Sequence, residues 1–119
     1  MKKLHVSILL AVTLLTSPHA WTNSADNAVI LLYHHVSATT PASTSVTPSV
    51  FEQHLQHLAD GYNVISLEQA VGALRDGRLL PERAVVITFD DGYRNIYDNA
   101  HPMLLKYAMP YTVFVNPQL

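Results

Sequence analysis

Cysteine is absent from the 119 residues, which removes disulfides, thiolate metal sites and lipid-modified thiols together. Whatever folds here is held by its core alone. Charge is scarce as well: 13% of residues are charged and the formal net charge is -2, so the chain lacks the basic surface that follows nucleic-acid phosphates. With 49% hydrophobic residues, it also lacks the polar composition of a disordered segment. No G-x-x-x-x-G-K-[ST] loop is present to cradle phosphates. No apolar run approaches the roughly 20 residues that span a bilayer.

What is present begins at the N-terminus. Met1-Lys2-Lys3, the mostly apolar Leu4 to Leu15, and Thr16-Ser17-Pro18-His19-Ala20 form the positive, hydrophobic and small-residue regions of a secretory signal peptide. Residues 1–20 are therefore expected to be removed, with no stable membrane anchor left and a secreted or periplasmic product. Ala20 is the natural exit residue, and Pro18 leaves Ser24 or Ala25 as alternatives. Without Lys2 and Lys3, five basic side chains remain against nine acidic ones, which suits neutral or cationic partners rather than nucleic acid.

After a polar link over residues 21–27, one domain is expected over residues 28–119. Ala28-Val29-Ile30-Leu31-Leu32-Tyr33 is an unbroken apolar run that reads as a buried strand ending at His34-His35. A Ser/Thr/Pro-rich loop follows. Thr47-Pro48 supplies an N-cap and first-turn proline for a helix, in competition with a Ser49/Glu52 capping box. That helix carries Phe51, Leu55 and Leu58 and stops at Gly61, which suits a left-handed cap.

A short strand over residues 62–65 leads into a helix capped by Ser66 and Gln69, with Leu67, Ala70, Val71 and Leu74 on its apolar face and Gly77 at its end. Val85 to Phe89 is a third strand. A third helix runs from about Asn95 to Tyr107, kinked or split by Pro102, and Thr112 to Val115 is a fourth strand. Four strands joined by three helices predict parallel βα units. The fold class is α/β, the N-terminal half of a deformed (β/α) barrel, since a closed barrel needs on the order of 200 residues. A sheet ending there is expected to expose an edge and leave one face poorly covered.

Chemistry concentrates at Thr88-Phe89-Asp90-Asp91-Gly92-Tyr93. Two adjacent carboxylates at a strand end point in different directions, so one can ligate a metal while the other acts as a base. Asp-Asp-Gly is also ordinary turn chemistry; its position after a buried strand, where parallel sheets carry their sites, favours the functional reading. His34 and His35 end the first strand and open onto the same rim. His54-x-x-His57 reads as a boundary packing residue and a solvated one, and His101 as structural.

Val86-Ile87-Thr88-Phe89-Asp90-Asp91-Gly92-Tyr93, with Leu32-Tyr33-His34-His35-Val36 before it and Thr112-Val113-Phe114-Val115 after it, resembles the polysaccharide deacetylases of the NodB homology domain, carbohydrate esterase family four. The resemblance implies hydrolysis of carbon–nitrogen bonds, removing N-acetyl groups from polysaccharide or peptidoglycan sugars with a divalent ion, zinc by preference. It assigns Asp90 as the general base and Asp91 as a metal ligand, with His34, His35 and Tyr93 toward the substrate. It also implies two metal histidines in an H-[ST]-x-x-H motif after the acidic pair, and no histidine follows His101. The expected activity therefore belongs to a catalytic domain of which this chain is an incomplete portion. A non-catalytic carbohydrate-binding or assembly module is the alternative.

Overall fold

The computed structural model describes residues 24–117, and the expected signal peptide lies outside them. In chain order the elements are β1 (Ser24–Ala25), β2 (Val29–Tyr33), β3 (His35–Val36), a 3-10 turn (Ala42–Thr44) and β4 (Ser45–Val46). Helix α1 (Pro48–Ala59), β5 (Asn63–Val64), α2 (Leu67–Arg75) and β6 (Leu80–Pro81) follow. The series ends with β7 (Ala84–Phe89), a π-helical turn (Ile96–Ala100), α3 (His101–Lys106) and β8 (Tyr111–Val113). None of the described helices is long and apolar enough to cross a membrane.

The main sheet is parallel throughout. Strand β7 is central, with β2 along one side and β5 and β8 sharing the other. All six residues of β7 are buried. Alternation splits them between two layers: Val85, Ile87 and Phe89 meet α1, the π-helical turn and α3 through Phe51, Leu55, Leu58, Ile96 and Leu104. Ala84 and Val86 meet Ala70, Ala73 and Leu80 on the other face. Burying large side chains of this kind contributes about 1.5–3 kcal/mol each. Phe89 is the aromatic hub, with ring centroids 5.5 Å from Tyr33, 5.9 Å from Phe51 and 5.8 Å from Tyr111.

Strand β2 departs from its expected burial. Val29, Ile30 and Leu32 are each more than half exposed, because β2 is an edge strand and only the Leu31 and Tyr33 side packs on the core. An open hollow of about 410 Å³ lies there, lined by Val29, Leu31, Tyr33, His54, His57, Leu58, Tyr62 and Val85. One edge and one face of the sheet thus lie open at β2, its first strand.

The helix ends show what local sequence settled. Thr47, rather than Ser49, caps α1 by accepting from Val50 N–H, with Pro48 in the first turn. Ser66 and Gln69 form the reciprocal capping box of α2. Gly61 does not take a left-handed conformation: α1 closes on Asp60 in the right-handed region. A Cβ at Gly61 would instead press within 3.3 Å of the Arg83 guanidinium, so the glycine makes room for that side chain. On α2 the buried stripe is Ala70 and Ala73, while Val71 and Leu74 are exposed. Small side chains let α2 lie close on Ala84, which turns the larger residues outward. The expected third helix is split in the structure, a π-helical turn passing into a short α-helix just before Pro102. Within the expected polar link, Ser24–Ala25 pairs antiparallel with Leu80–Pro81.

Candidate active site

The register of β2 on β7 builds the rim. Tyr33 lies opposite Phe89, and Asp90 N–H continues the ladder by donating to the Tyr33 carbonyl at 2.9 Å. One further rung brings His34 beside Asp90, with Nε2 and Oδ2 4.0 Å apart. That gap is wider than a hydrogen bond and both side chains are about a third exposed, so each remains available to a bound molecule. A one-residue slip would send the two side chains to opposite faces. Thr88 pins the register from inside: it is buried, and its hydroxyl donates to the Leu31 carbonyl at 2.9 Å.

After Asp90 the chain turns sharply through two left-handed residues, Asp91 at φ 69° and Gly92 at φ 70°. For Asp91 this costs of order 1 kcal/mol, a strain that clusters at functional sites. Gly92 avoids that strain, and a Cβ there would come within 3.1 Å of Val115 Cγ1. Tyr93 then returns over the turn. The negative charge of Asp91 beside it holds the Tyr93 phenol above its ordinary pKa, with burial and hydrogen bonding to the same carboxylate adding to the effect. The Tyr93 ring stacks on His35, with centroids 3.8 Å apart and planes at 27°.

His34, His35, Asp90, Asp91 and Tyr93 therefore meet at one rim. Asp90 faces His34, whereas Asp91 connects through Tyr93 to His35. The other histidines among the described residues are occupied elsewhere. His54 Nδ1 bonds the Tyr33 hydroxyl at 3.0 Å, the His57 ring lies against Tyr62, and His101 Nδ1 bonds the Tyr111 hydroxyl at 2.8 Å. A divalent ion needs about three protein ligands, and among the described residues no group of three His, Cys, Asp or Glu side chains could hold one. The described residues therefore do not form a complete metal centre.

Two residues escaped sequence reasoning. Asn95 Oδ1 accepts from Val36 N–H at 3.0 Å and its Nδ2 meets His35 Nδ1 at 3.0 Å. Asn99 Nδ2 donates to the Val36 carbonyl at 2.8 Å. The two asparagines clamp the buried peptide that follows the histidines. Asparagines just after a glycine turn read as caps, and the only available signal was their four-residue spacing on a segment with Ile96 and Ala100 facing the core.

A polysaccharide deacetylase family model matches residues 78–119. The chain is 41% identical over 64 residues to a poly-beta-1,6-N-acetyl-D-glucosamine N-deacetylase of Escherichia coli (strain K12), covering 54% of this chain and 10% of that protein. It is 32% identical over 105 residues to the Staphylococcus epidermidis protein of the same name, covering 76% of this chain and 36% of the relative. Among solved structures, a de-N-acetylase from Aggregatibacter actinomycetemcomitans superposes with a TM-score of 0.65 at 32% identity, over 72% of this chain and 36% of that one. The chain thus spans between a tenth and little more than a third of these relatives. Its parallel α/β sheet is part of the (β/α) barrel on which such deacetylases are built, and the motif, the strand order and these likenesses together place the chain in the polysaccharide deacetylase family.

Proposed function

We propose that this chain supplies the acid-pair rim of a metal-dependent deacetylase that removes N-acetyl groups from a polysaccharide, with poly-β-1,6-N-acetylglucosamine favoured over peptidoglycan by the names of its relatives. The observation that carries the reading is the pairing of Asp90 with His34 at 4.0 Å on the strand-end rim. Amide hydrolysis requires a base to take a proton from the attacking water and an acid to give one to the departing amine. In this reading Asp90 takes the first role, the proton-donating acid is supplied from outside the described residues, and His34, His35 and Tyr93 lie toward the substrate. A divalent ion, zinc in the family resemblance, would find Asp91 as its carboxylate ligand here. A complete ligand set for it is not among the described residues. Secretion, or export to a periplasm, is the localisation supported by the signal-like sequence of residues 1–20.

The test is acetate release from β-1,6-linked N-acetylglucosamine oligomers. The 119-residue chain alone is expected to release none. A chimera continuing it with the part of the Staphylococcus epidermidis relative that follows the matched region is expected to be active, and Asp90→Asn in that chimera to lose about 10²–10⁴-fold. An Asp90→Asn chimera as active as its parent would sink the assignment. Robust release by the short chain would overturn its incompleteness. The open edge of β2 supports the second reading, a non-catalytic carbohydrate-binding or assembly module, for which sedimentation as a self-associated species with glycan binding but no turnover is the expected result.

A further inference from the structure

Asn95 directly precedes the π-helical turn and uses both ends of its carboxamide. Because Oδ1 accepts the Val36 N–H, the amide can face only one way, with its NH₂ turned toward His35 Nδ1 at 3.0 Å. An amide NH₂ donates and cannot accept. His35 Nδ1 is therefore a bare acceptor, and the proton of the neutral ring sits on Nε2.

The ring is fixed on its other sides too. Tyr93 stacks on it at 3.8 Å, and the peptide behind it is held at Val36 N–H by Asn95 and at Val36 C=O by Asn99. His35 Nε2 has no protein partner among the described residues, and no buried side-chain nitrogen or oxygen among them is left unsatisfied. That atom therefore meets solvent. A rigid N–H donor stands at the rim, one stacked ring away from the Asp91 carboxylate.

We propose that Asn95 is a positioning residue: it sets His35 in the Nε2–H tautomer and holds that N–H outward as a hydrogen-bond donor to a carbonyl or hydroxyl oxygen of an N-acetylated sugar. The substrate half rests on the deacetylase reading above, whereas the tautomer half does not. Sequence alone hides this, because an imidazole does not announce which nitrogen is protonated; the acceptor or donor across from it decides.

The test is a long-range proton–nitrogen correlation on the ¹⁵N-labelled full chain at about pH 8.5, above the ordinary histidine range near 6.5. Wild type is expected to show His35 with a bare Nδ1 and a protonated Nε2. Asn95→Asp keeps the acceptor for Val36 N–H but replaces the donor facing the ring, and is expected to move the proton to Nδ1. Asn99→Ala removes a neighbouring bond and is expected to leave the tautomer as in wild type. The wild-type spectrum tests the claim without any variant: an Nδ1–H wild type, or an Asn95→Asp ring that keeps the Nε2–H form, overturns it.

A β-1,6-linked N-acetylglucosamine trimer is then titrated into the same samples. The Nε2–H signal of His35 is expected to shift, and Asn95→Asp to weaken binding about three- to tenfold, the worth of one hydrogen bond. Trimer binding that leaves the His35 signals and the variant's affinity unchanged overturns the donor role. A wrong tautomer with trimer binding intact overturns the Asn95 assignment alone, correct tautomers with no trimer binding overturn the substrate half alone, and the deacetylase reading is decided separately by acetate release from the chimera.

Discussion

Strands β2 and β7 lie side by side in register and are written in nearly the same alphabet, Val-Ile-Leu-Leu-Tyr against Ala-Val-Val-Ile-Thr-Phe. Their surroundings are opposite. Every residue of β7 is buried, whereas Val29, Ile30 and Leu32 of β2 are 55–57% exposed. An apolar run records what a strand can tolerate, and position in the sheet decides what it receives: β7 has strands on both sides and helices on both faces, while β2 has one strand neighbour and one covered face. The rim joins the two at their ends, so Asp90 stands on the rigid partner and His34 on the open one.

The sharpest break in that comparison is Phe89→Ala. Phe89 is fully buried among Tyr33, Phe51 and Tyr111, and its loss is expected to cost about 3–5 kcal/mol, read as a lower midpoint in urea unfolding. A smaller effect is expected from Thr88→Val, which keeps the shape but leaves the Leu31 carbonyl without its hydroxyl donor. About 1–3 kcal/mol should disappear, with amide exchange accelerated in β2 more than in β8. Equal acceleration in both would show that the hydroxyl does not pin the register.

Alkaline pH sharpens the comparison further. Burial holds the Tyr33 phenol above its ordinary value of 10.0, so above that value the folded chain keeps a proton that the unfolded chain releases. The stabilising contribution is complete below pH 10 and is lost as pH rises through the folded pKa. Thermal melts of Tyr33→Phe should lose less stability across this alkaline window than wild type, and parallel curves would refute the attribution to Tyr33. Smallest of all, Ile30→Thr on the exposed face of β2 should change stability by no more than about 0.5 kcal/mol while reducing self-association in sedimentation. A large loss would mean that this face is covered in solution.

Much of the scaffold was legible in the chain because local rules fixed it. Thr47-Pro48, the Ser66/Gln69 box and the split near Pro102 each follow from groups a few residues apart. The parallel sheet was legible from its alternation of strands and helices. Burial was less so: Val71 and Leu74 have the periodicity of a core face, but only the approach of Ala70 and Ala73 to Ala84 shows which stripe turns inward. The acidic pair and the rim histidines could be named from their strand ends. Their connections could not, since the roles of Asn95, Asn99 and Thr88 depend on partners 57 to 63 residues away.

Those separations also set an order in time. The Val36 peptide and the His35 ring are held by asparagines 59 to 63 positions later. A chain emerging from synthesis makes both rim histidines long before the residues that orient them. Helix α1 and its caps can form locally, but the rim must wait until β7 has closed on β2 and the π-helical turn has come round behind it, a step slowed by the loop entropy of distant contacts. The His35 ring and the Val36 peptide are thus held only once the β2–β7 ladder has closed, and completion of the ladder is what makes a usable surface of the rim.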